Sequence, residues 1–288
     1  MYILRRFRMS INSGAILNCE IALELEGGGK NMNPASYVIP KVKIEKHKLI
    51  KLFYGSIAVG ILFTVQVLTG KSGWAVADLF SYERIDLYNI YARLSVHHII
   101  QMIIALAIIA VLTRLLKADF GLKLGDAKKG MKYIKVYTAA FSIFTLICHI
   151  LMYFYDMVPA FDFPLDKTNV MGTLGFQLLL SGTSEEILYR ALPITVLVYV
   201  FGKSVNIKWN ITLEIVIASV LFSIAHIKWS LSPFTIEMNY FQFLYAFVLG
   251  TIQGKAYQET HSILYPMYMH SISNVLMVGT GYLFAALM

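Results

Sequence analysis

The sequence predicts an all-α polytopic membrane protein with about seven or eight transmembrane helices. Of its 288 residues, 57% are hydrophobic and only 15% carry a charge. The mean hydropathy is +0.63. Soluble globular domains contain about 25% charged residues, so this composition indicates a protein that is surrounded by lipid.

Charge-free windows along the chain predict the spans. A helix needs about 20 mostly apolar residues to cross a bilayer. Windows without Asp, Glu, Lys or Arg that approach this length are residues 52–70, 94–113, 136–155, 168–184, 238–254 and 262–288. A shorter window, residues 215–227, extends back past Glu214 to Ile211. These windows predict seven spans.

An eighth span is predicted if residues 170–201 form two helices. At about 1.5 Å per residue, this stretch is too long for one upright span. We therefore expect it to tilt, to break near Gly182, or to fold back.

The net charge is +8. The distribution of the basic residues fits membrane topology and does not favour a nucleic-acid partner. The loop after the third span is acidic, with Asp156, Asp162 and Asp166 against Lys167. Cytoplasmic loops are enriched in Lys and Arg, so the N-terminus is predicted to be cytoplasmic and, with seven spans, the C-terminus outside. The basic residues gather before the first span (Lys41, Lys43, Lys46, Lys48, Lys51) and after the second (Arg114, Lys117, Lys123, Lys128, Lys129, Lys132, Lys135).

Three regions are expected: a polar basic segment 1–48, a three-helix membrane scaffold 49–158, and a membrane region 168–288 that carries the chemistry. The first 31 residues have no apolar core of a signal peptide and no clear structural pattern. One hypothesis starts translation at Met32, because purine-rich codons for residues 26–30 would suit a bacterial ribosome-binding site. The only cysteines, Cys19 and Cys148, predict no disulfide framework.

Two adjacent carboxylates, Glu185 and Glu186, stand inside apolar sequence, where charges are costly. On one helix, Glu186 and Arg190 are four residues apart and can pair. Glu185 is turned about 100° away and has no local cation. An unpaired carboxylate in a low-dielectric place suits a general base or a metal ligand.

Further polar residues follow on two other apolar helices: His226 after Phe222, and His270 with Asn274 on one face of the last span. Each has a structural alternative, as a packed histidine, an interhelical hydrogen bond or a buried ion pair. His97, His98 and His149, in the second and third spans, are expected to be packed or interfacial, because no acidic residue accompanies them.

Together, a glutamate, two histidines and an asparagine on three helices are what amide hydrolysis needs. Serine catalysis is disfavoured, because Ser184 is followed by Glu185 and not by a glycine-rich oxyanion turn. Paired-aspartate catalysis is disfavoured, because Asp156, Asp162 and Asp166 lie at a span end or in a loop.

The ordered motifs E-E-x-x-x-R, F-x-x-x-H and H-x-x-x-N resemble those of the CPBP family of intramembrane proteases. That family includes the CAAX prenyl endopeptidases and bacterial proteins tied to bacteriocin processing and self-immunity. The similarity covers residues 172–278 and includes Gly250 and Gly254, which would let helices approach closely. It implies a helical membrane fold around a polar intramembrane cavity.

The resemblance also implies roles for the site residues. Glu185 would activate the attacking water with His226 as its partner, and His270 and Asn274 would hold the oxyanion. Glu186 and Arg190 would orient the glutamate helix, with Phe222 in support. A zinc ion bound by Glu185, His226 and His270 is the alternative, although the H-E-x-x-H signature is absent.

The function predicted from these motifs is an intramembrane endopeptidase of a bacterial plasma membrane, with a peptide or membrane protein as substrate. One alternative is a non-catalytic immunity or regulatory scaffold, which would be expected to have lost part of the motif set. Another is a small transporter with a proton relay through the same residues, but the internal repeats common in transporters are absent.

Overall fold

A computed structural model describes residues 2–12, 16–25, 46–231 and 233–288. The chain divides into two compact units, residues 1–57 and residues 58–288. The elements are β1 (Tyr2–Asn12), β2 (Ile16–Leu25), α1 (Lys46–Ala77), α2 (Ala92–Leu116), α3 (Ala127–Phe154), α4 (Lys167–Phe176), α5 (Gly182–Glu186), α6 (Leu192–Phe201), β3 (Asn206–Lys208), β4 (Ile211–Thr212), α7 (Leu213–Ile224), β5 (Lys228–Leu231), β6 (Phe234–Glu237), α8 (Tyr240–Thr260) and α9 (Leu264–Ala285).

The strands are three separate antiparallel hairpins, β1 with β2, β3 with β4, and β5 with β6. None of them was predicted. For β1 the missed signal is the alternation of polar and apolar residues from Arg6 to Asn12, which is typical of a strand. The hypothesis of a start at Met32 concerns a position outside the described residues.

Helices dominate the described chain, as predicted, but the number of spans is not confirmed. Three helices are long and apolar enough to cross a bilayer: Ile50–Ala77, Ala92–Leu116 and Ala127–Phe154. Their most apolar windows are only 17–28% buried, so most of their apolar side chains face outward, as in helices that contact lipid. The apolar helix α7 has 12 residues, and is therefore shorter than a span requires.

Residues 167–201 form one continuous helix, which we call the interrupted helix. It is α-helical except for two π-helical segments, Gln177–Ser181 and Ile187–Ala191. Gly182 has φ −59° and ψ −40°, which are ordinary helical angles. Of the three expected alternatives, a break near Gly182 and a fold back are therefore wrong. The two π segments stand immediately before and after α5, the segment that carries Glu185 and Glu186, and such segments are frequent at functional sites.

Proline 193 explains part of the second π segment. Its ring has no N–H, so a carbonyl about one turn earlier loses its donor. The Leu192 N–H donates to the Ile187 carbonyl, one residue further back than in an α-helix. The Leu188 carbonyl accepts instead from Gln66 Nε2 of α1, at 3.4 Å. A buried amide from another helix thus replaces the missing donor.

The core of the second unit forms around the interrupted helix. Buried Leu188, Leu192 and Leu197 pack with residues of α1, α2, α7 and α8. A smaller cluster joins α3, α8 and α9 through Tyr137, Phe141, Ala256 and Met269. Through the first of these clusters, α1, α2, α7 and α8 surround the interrupted helix, which carries Glu185 and Glu186.

Small residues of α8 allow its close packing, as predicted. A Cβ atom on Gly250 would lie 3.0 Å from Arg190 Nη2, and one on Gly254 would lie 2.9 Å from Ile215 Cγ2. Both contacts are shorter than normal van der Waals distances. The two glycines therefore bring α8 against the interrupted helix and α7.

Loops gather at two ends of the second unit. At one end, Asp126 N donates to the Thr260 carbonyl at 2.8 Å, and Ile263 N donates to the Gly121 carbonyl at 2.9 Å. A cavity of about 440 Å³ at this end has a lining that includes Asp119, Ser204, Asn210 and His261. The loop after α2 thus meets the loops after α6 and α8 at this end. At the other end, the rings of Tyr88 and Phe163, in the loops after α1 and α3, lie 6.3 Å apart.

Candidate active site

Glu185 lies between two histidine side chains from two other helices. Its Oε2 atom is 3.5 Å from Nε2 of His270 on α9. Its Oε1 atom is 3.9 Å from Nε2 of His98 on α2. The Glu185 side chain is 19% exposed, whereas that of its neighbour Glu186 is 0% exposed. The two glutamates therefore have separate environments, as the sequence predicted.

Glu186 is fully buried and contacts two basic groups. Its Oε1 atom is 3.1 Å from Arg190 Nη1, which confirms the predicted pair on one helix. The same oxygen accepts a hydrogen bond of 2.7 Å from Nδ1 of His270. Because a carboxylate accepts, His270 carries a proton on Nδ1 and turns Nε2 toward Glu185. Glu186 therefore orients His270 as well as Arg190.

Arg190 is held on several sides by buried groups. Its Nη2 atom donates to Gln253 Oε1 of α8 at 3.0 Å. Its guanidinium carbon lies 3.8 Å from the centre of the Phe222 ring, which is a close cation–π contact. Phe222 thus packs against the cation that pairs with Glu186.

His226 stands one helical turn after Phe222 and packs edge-on against its ring, at 4.7 Å and 87°. The Nδ1 atom of His226 donates to the Phe222 carbonyl at 2.9 Å. A carbonyl can only accept, so this bond assigns the proton to Nδ1 and leaves Nε2 available. His226 and His270 therefore present the same ring nitrogen for chemistry.

A cavity of about 260 Å³ joins the predicted residues. It is lined by Glu185, His226, His270 and Asn274, together with Ser181, Gln177, Gln242 and Gln253. Asn274 Nδ2 donates to Ser181 Oγ at 3.1 Å. An amide has two N–H groups, so one donor of Asn274 is free of Ser181. The three motifs therefore meet at one polar cavity.

His98 is packed, as expected, at 8% exposure, but it also faces polar partners on the interrupted helix that were not expected. Besides its approach to Glu185, its Nδ1 atom lies 2.6 Å from Ser184 Oγ. The expectation relied on the absence of an acid in the same span, but the acid comes from another helix. The pair His97-His98 in an apolar span was the only available signal, and the sequence did not show which histidine faces inward.

The two other histidines of the first three helices pack as expected. His97 stacks on Trp74, with ring centroids 4.1 Å apart. His149 bonds the Thr145 carbonyl of its own helix through Nδ1 at 2.9 Å. Like His98, both lie outside the set of residues that lines the cavity.

The donor types suit zinc, but their spacing does not form a metal site. Glu186 and the Phe222 carbonyl hold the Nδ1 atoms of His270 and His226, as partners of zinc-binding histidines commonly do. However, the described residues contain no group of three His, Cys, Asp or Glu side chains placed to hold one metal ion. The zinc site therefore stays a prediction.

Comparison with known families identifies the C-terminal part of the chain. Residues 167–276 match the family model of the type II CAAX prenyl endopeptidase Rce1-like proteins. These residues form an Rce1-like domain. Comparisons with curated proteins and with solved structures gave no significant match.

The Rce1-like domain confirms the predicted resemblance to CPBP and CAAX proteases over nearly the predicted range. It contains Glu185, His226, His270 and Asn274, all of which line the cavity. His98 lies before the Rce1-like domain, on a helix that the family model does not cover. The apolar helices and the match of residues 167–276 to this family together indicate a multi-pass membrane protein.

Proposed function

We propose that the protein is an intramembrane endopeptidase that hydrolyses a peptide bond of a membrane-associated protein or peptide. The observation that carries the proposal is the Glu185 carboxylate facing His270 Nε2 at 3.5 Å. Both groups line a polar cavity inside a domain that matches CAAX endopeptidases. A carboxylate beside an imidazole, in a cavity among apolar helices, can activate a water molecule.

In this mechanism, Glu185 takes a proton from water while the water oxygen attacks the peptide carbonyl carbon. His226 orients the water through its free Nε2 atom. The carbonyl oxygen becomes an oxyanion, which the second N–H of Asn274 and the protonated form of His270 stabilise. Glu185 then gives its proton to the departing nitrogen, and the C–N bond breaks. The products are a carboxylic acid and an amine.

The remaining polar residues maintain this arrangement. Glu186 holds His270 through Nδ1 and is balanced by the buried cation of Arg190. Phe222 lies under that cation and beside both His226 and His270. These contacts limit the orientations of the two imidazoles, which is the pre-organisation that efficient hydrolysis requires.

The test compares cleavage by wild type with that by Glu185→Ala, His226→Ala and His270→Ala, each purified in detergent. The substrates are a peptide library and candidate membrane proteins. We expect wild type to cut and each variant to lose at least about 100-fold in kcat. Wild-type cleavage by all three variants would refute the site. If wild type cut nothing, the non-catalytic scaffold would be favoured.

Metal content is a separate question with its own measurement. Elemental analysis of the purified protein, before and after a chelator, would report bound zinc directly. We expect any zinc to be lost in the double variant His226→Ala, His270→Ala. Equal zinc in wild type and in this variant would contradict a site that uses these histidines.

We further propose that the N-terminus faces the cytoplasm of a bacterial plasma membrane. The basic loop after α2 meets the loops after α6 and α8 at one end, as expected if successive helices alternate in direction. Lys123 and Asp162 lie in loops of opposite predicted sides. In a Cys19→Ser, Cys148→Ser background, an impermeant maleimide should label Asp162→Cys in intact cells and Lys123→Cys only after lysis. The reverse result would overturn the orientation.

A further inference from the structure

We infer that His98 is a positioning residue for Glu185, whose Oε1 atom its Nε2 faces at 3.9 Å and to which it donates a hydrogen bond once substrate is bound. This inference rests on the proposed hydrolysis, in which Glu185 is the base. His98 lies on α2, outside the Rce1-like domain. The helices before that domain would therefore supply part of the active site and not only a scaffold.

The His98 ring is fixed by its neighbours. It is 8% exposed. The Phe176 ring packs edge-on against it at 5.0 Å, and the His97 ring does so at 5.1 Å. Its two nitrogens face consecutive residues of the interrupted helix, Ser184 at 2.6 Å and Glu185 at 3.9 Å. The ring therefore has a defined orientation toward Glu185.

The partners of His98 favour one tautomer. A carboxylate oxygen only accepts hydrogen bonds, whereas the Ser184 hydroxyl can donate or accept. The tautomer with the proton on Nε2 suits both partners, because Ser184 then donates to Nδ1 and Nε2 donates to Glu185. The competing acceptor for Ser184 is the Ser181 carbonyl, at the longer distance of 3.3 Å.

The distance from His98 to Glu185 is longer than a formed hydrogen bond. It must shorten by about 1 Å to reach a normal N–H···O length. Hydrogen bonds of catalytic groups are often long before substrate binds and shorten in the complex. Rotation of the partly exposed Glu185 carboxylate would supply this movement without displacing a helix.

Positioning follows from the two oxygens of Glu185. Oε1 faces His98 and Oε2 faces His270, so the carboxylate is held between two rings from different helices. Fixing Oε1 leaves Oε2 directed at the side where water would react. Without His98 the Glu185 carboxylate can rotate. The fraction of molecules in which it is oriented for reaction then falls, and kcat falls with it. Substrate contacts are unaffected, so KM should change little.

Two substitutions separate the two nitrogens of His98. In His98→Gln the amide nitrogen lies near the position of Nε2, whereas in His98→Asn it lies near Nδ1. His149→Gln is the matched control, because His149 is a buried histidine whose Nδ1 atom bonds the Thr145 carbonyl of its own helix. Kinetics are measured on a peptide that wild type cleaves.

We expect His98→Asn to lower kcat about 10- to 100-fold with KM within about twofold, since small misplacements of catalytic groups have effects of this size. His98→Gln should recover most of kcat, and His149→Gln should match wild type. Equal kcat in His98→Asn and wild type would overturn the inference. So would equal loss in the Asn and Gln variants.

A second measurement does not depend on cleavage. ¹⁵N spectra of histidine-labelled protein in detergent report which ring nitrogen carries the proton. We expect the His98 signals, identified by their loss in His98→Gln, to show the Nε2–H tautomer and to shift in Glu185→Gln. An Nδ1–H tautomer would overturn the inference even in an active enzyme. Failure of wild type to cleave would instead refute the proposed function, while the spectra still test the contact.

Discussion

The Nδ1 atom of His270 lies 2.7 Å from Oε1 of Glu186, although the two residues belong to different helices. The sequence predicted only that Glu186 pairs with Arg190 on its own helix, and on that basis a structural role. The contact with His270 links the buried ion pair to the cavity. Glu186 therefore has both a structural and an orienting role, and the two can be separated by experiment.

Substituting Glu186 alone should damage stability strongly. In Glu186→Gln the buried Arg190 cation loses its counter-charge, which typically costs about 3–5 kcal/mol. The double variant Glu186→Gln, Arg190→Met removes both charges and should recover most of that loss. Its kcat should stay about 10- to 100-fold below wild type, because His270 still lacks its carboxylate. Unfolding in detergent and peptide cleavage are the measurements. Full kcat in the double variant would contradict the orienting role.

Asn274 is expected to act on the substrate and not only on Ser181. Removing one oxyanion donor commonly lowers kcat about 100- to 1000-fold, and Asn274→Ala should show a loss of this size. Ser181→Ala removes the present acceptor of Asn274 but keeps its N–H groups, so its loss should be below about tenfold. Equal losses in the two variants would indicate that Asn274 only supports Ser181.

The sequence predicted the site better than it predicted the helix that carries it. Charges in apolar sequence are costly, so Glu185, Glu186 and Arg190 were visible without a structure. A histidine whose polar partner lies on another helix cannot be recognised from local sequence in this way. Nothing local distinguishes His98 from His97, because the direction of a side chain on an apolar helix depends on packing between helices. The same limitation explains why the contact between Glu186 and His270 was not expected.

Helix geometry was harder to predict, because a residue far away in the sequence can offset a locally unfavourable glycine or proline. Gly182 and the length of residues 170–201 suggested a break, since glycine is unfavourable within helices. In the structure, Gly182 is instead a place of close approach to α9. Proline 193 indicated a local disturbance, but its partner Gln66 is 122 positions from Leu188. Neither contact follows from local propensity.

Gly182 and Gly175 provide a matched pair on the interrupted helix. A Cβ atom at Gly182 would lie 2.8 Å from the Ser271 backbone nitrogen, whereas one at Gly175 has no described atom within 4 Å. Gly182→Ala should therefore push α9 and His270 away and lower stability by about 1–3 kcal/mol, with loss of kcat. Gly175→Ala should be neutral or stabilising by up to about 1 kcal/mol. Equal behaviour of the two variants in unfolding and cleavage assays would refute the close approach.

Gln66 and Pro193 should be energetically coupled. Gln66→Leu leaves the buried Leu188 carbonyl without its side-chain donor and should cost about 1–3 kcal/mol. In a Pro193→Ala background the restored backbone N–H at position 193 can donate to a carbonyl of the same turn. Gln66→Leu should then lower the free energy of unfolding by less. A double-mutant cycle on the free energy of unfolding measures this coupling. Purely additive effects would show that the amide of Gln66 does not replace the donor missing at Pro193.

The two π segments on either side of α5 have a consequence for comparing related sequences. A π turn behaves as an α-helix with one inserted residue, and one residue corresponds to a rotation of about 100°. A relative with a regular helix should therefore align with a single-residue gap in residues 177–181 or 187–191. Such a gap would indicate a regular α-helix in the relative and not a loop. Removing one residue from either segment would turn one half of the helix away from the glutamates.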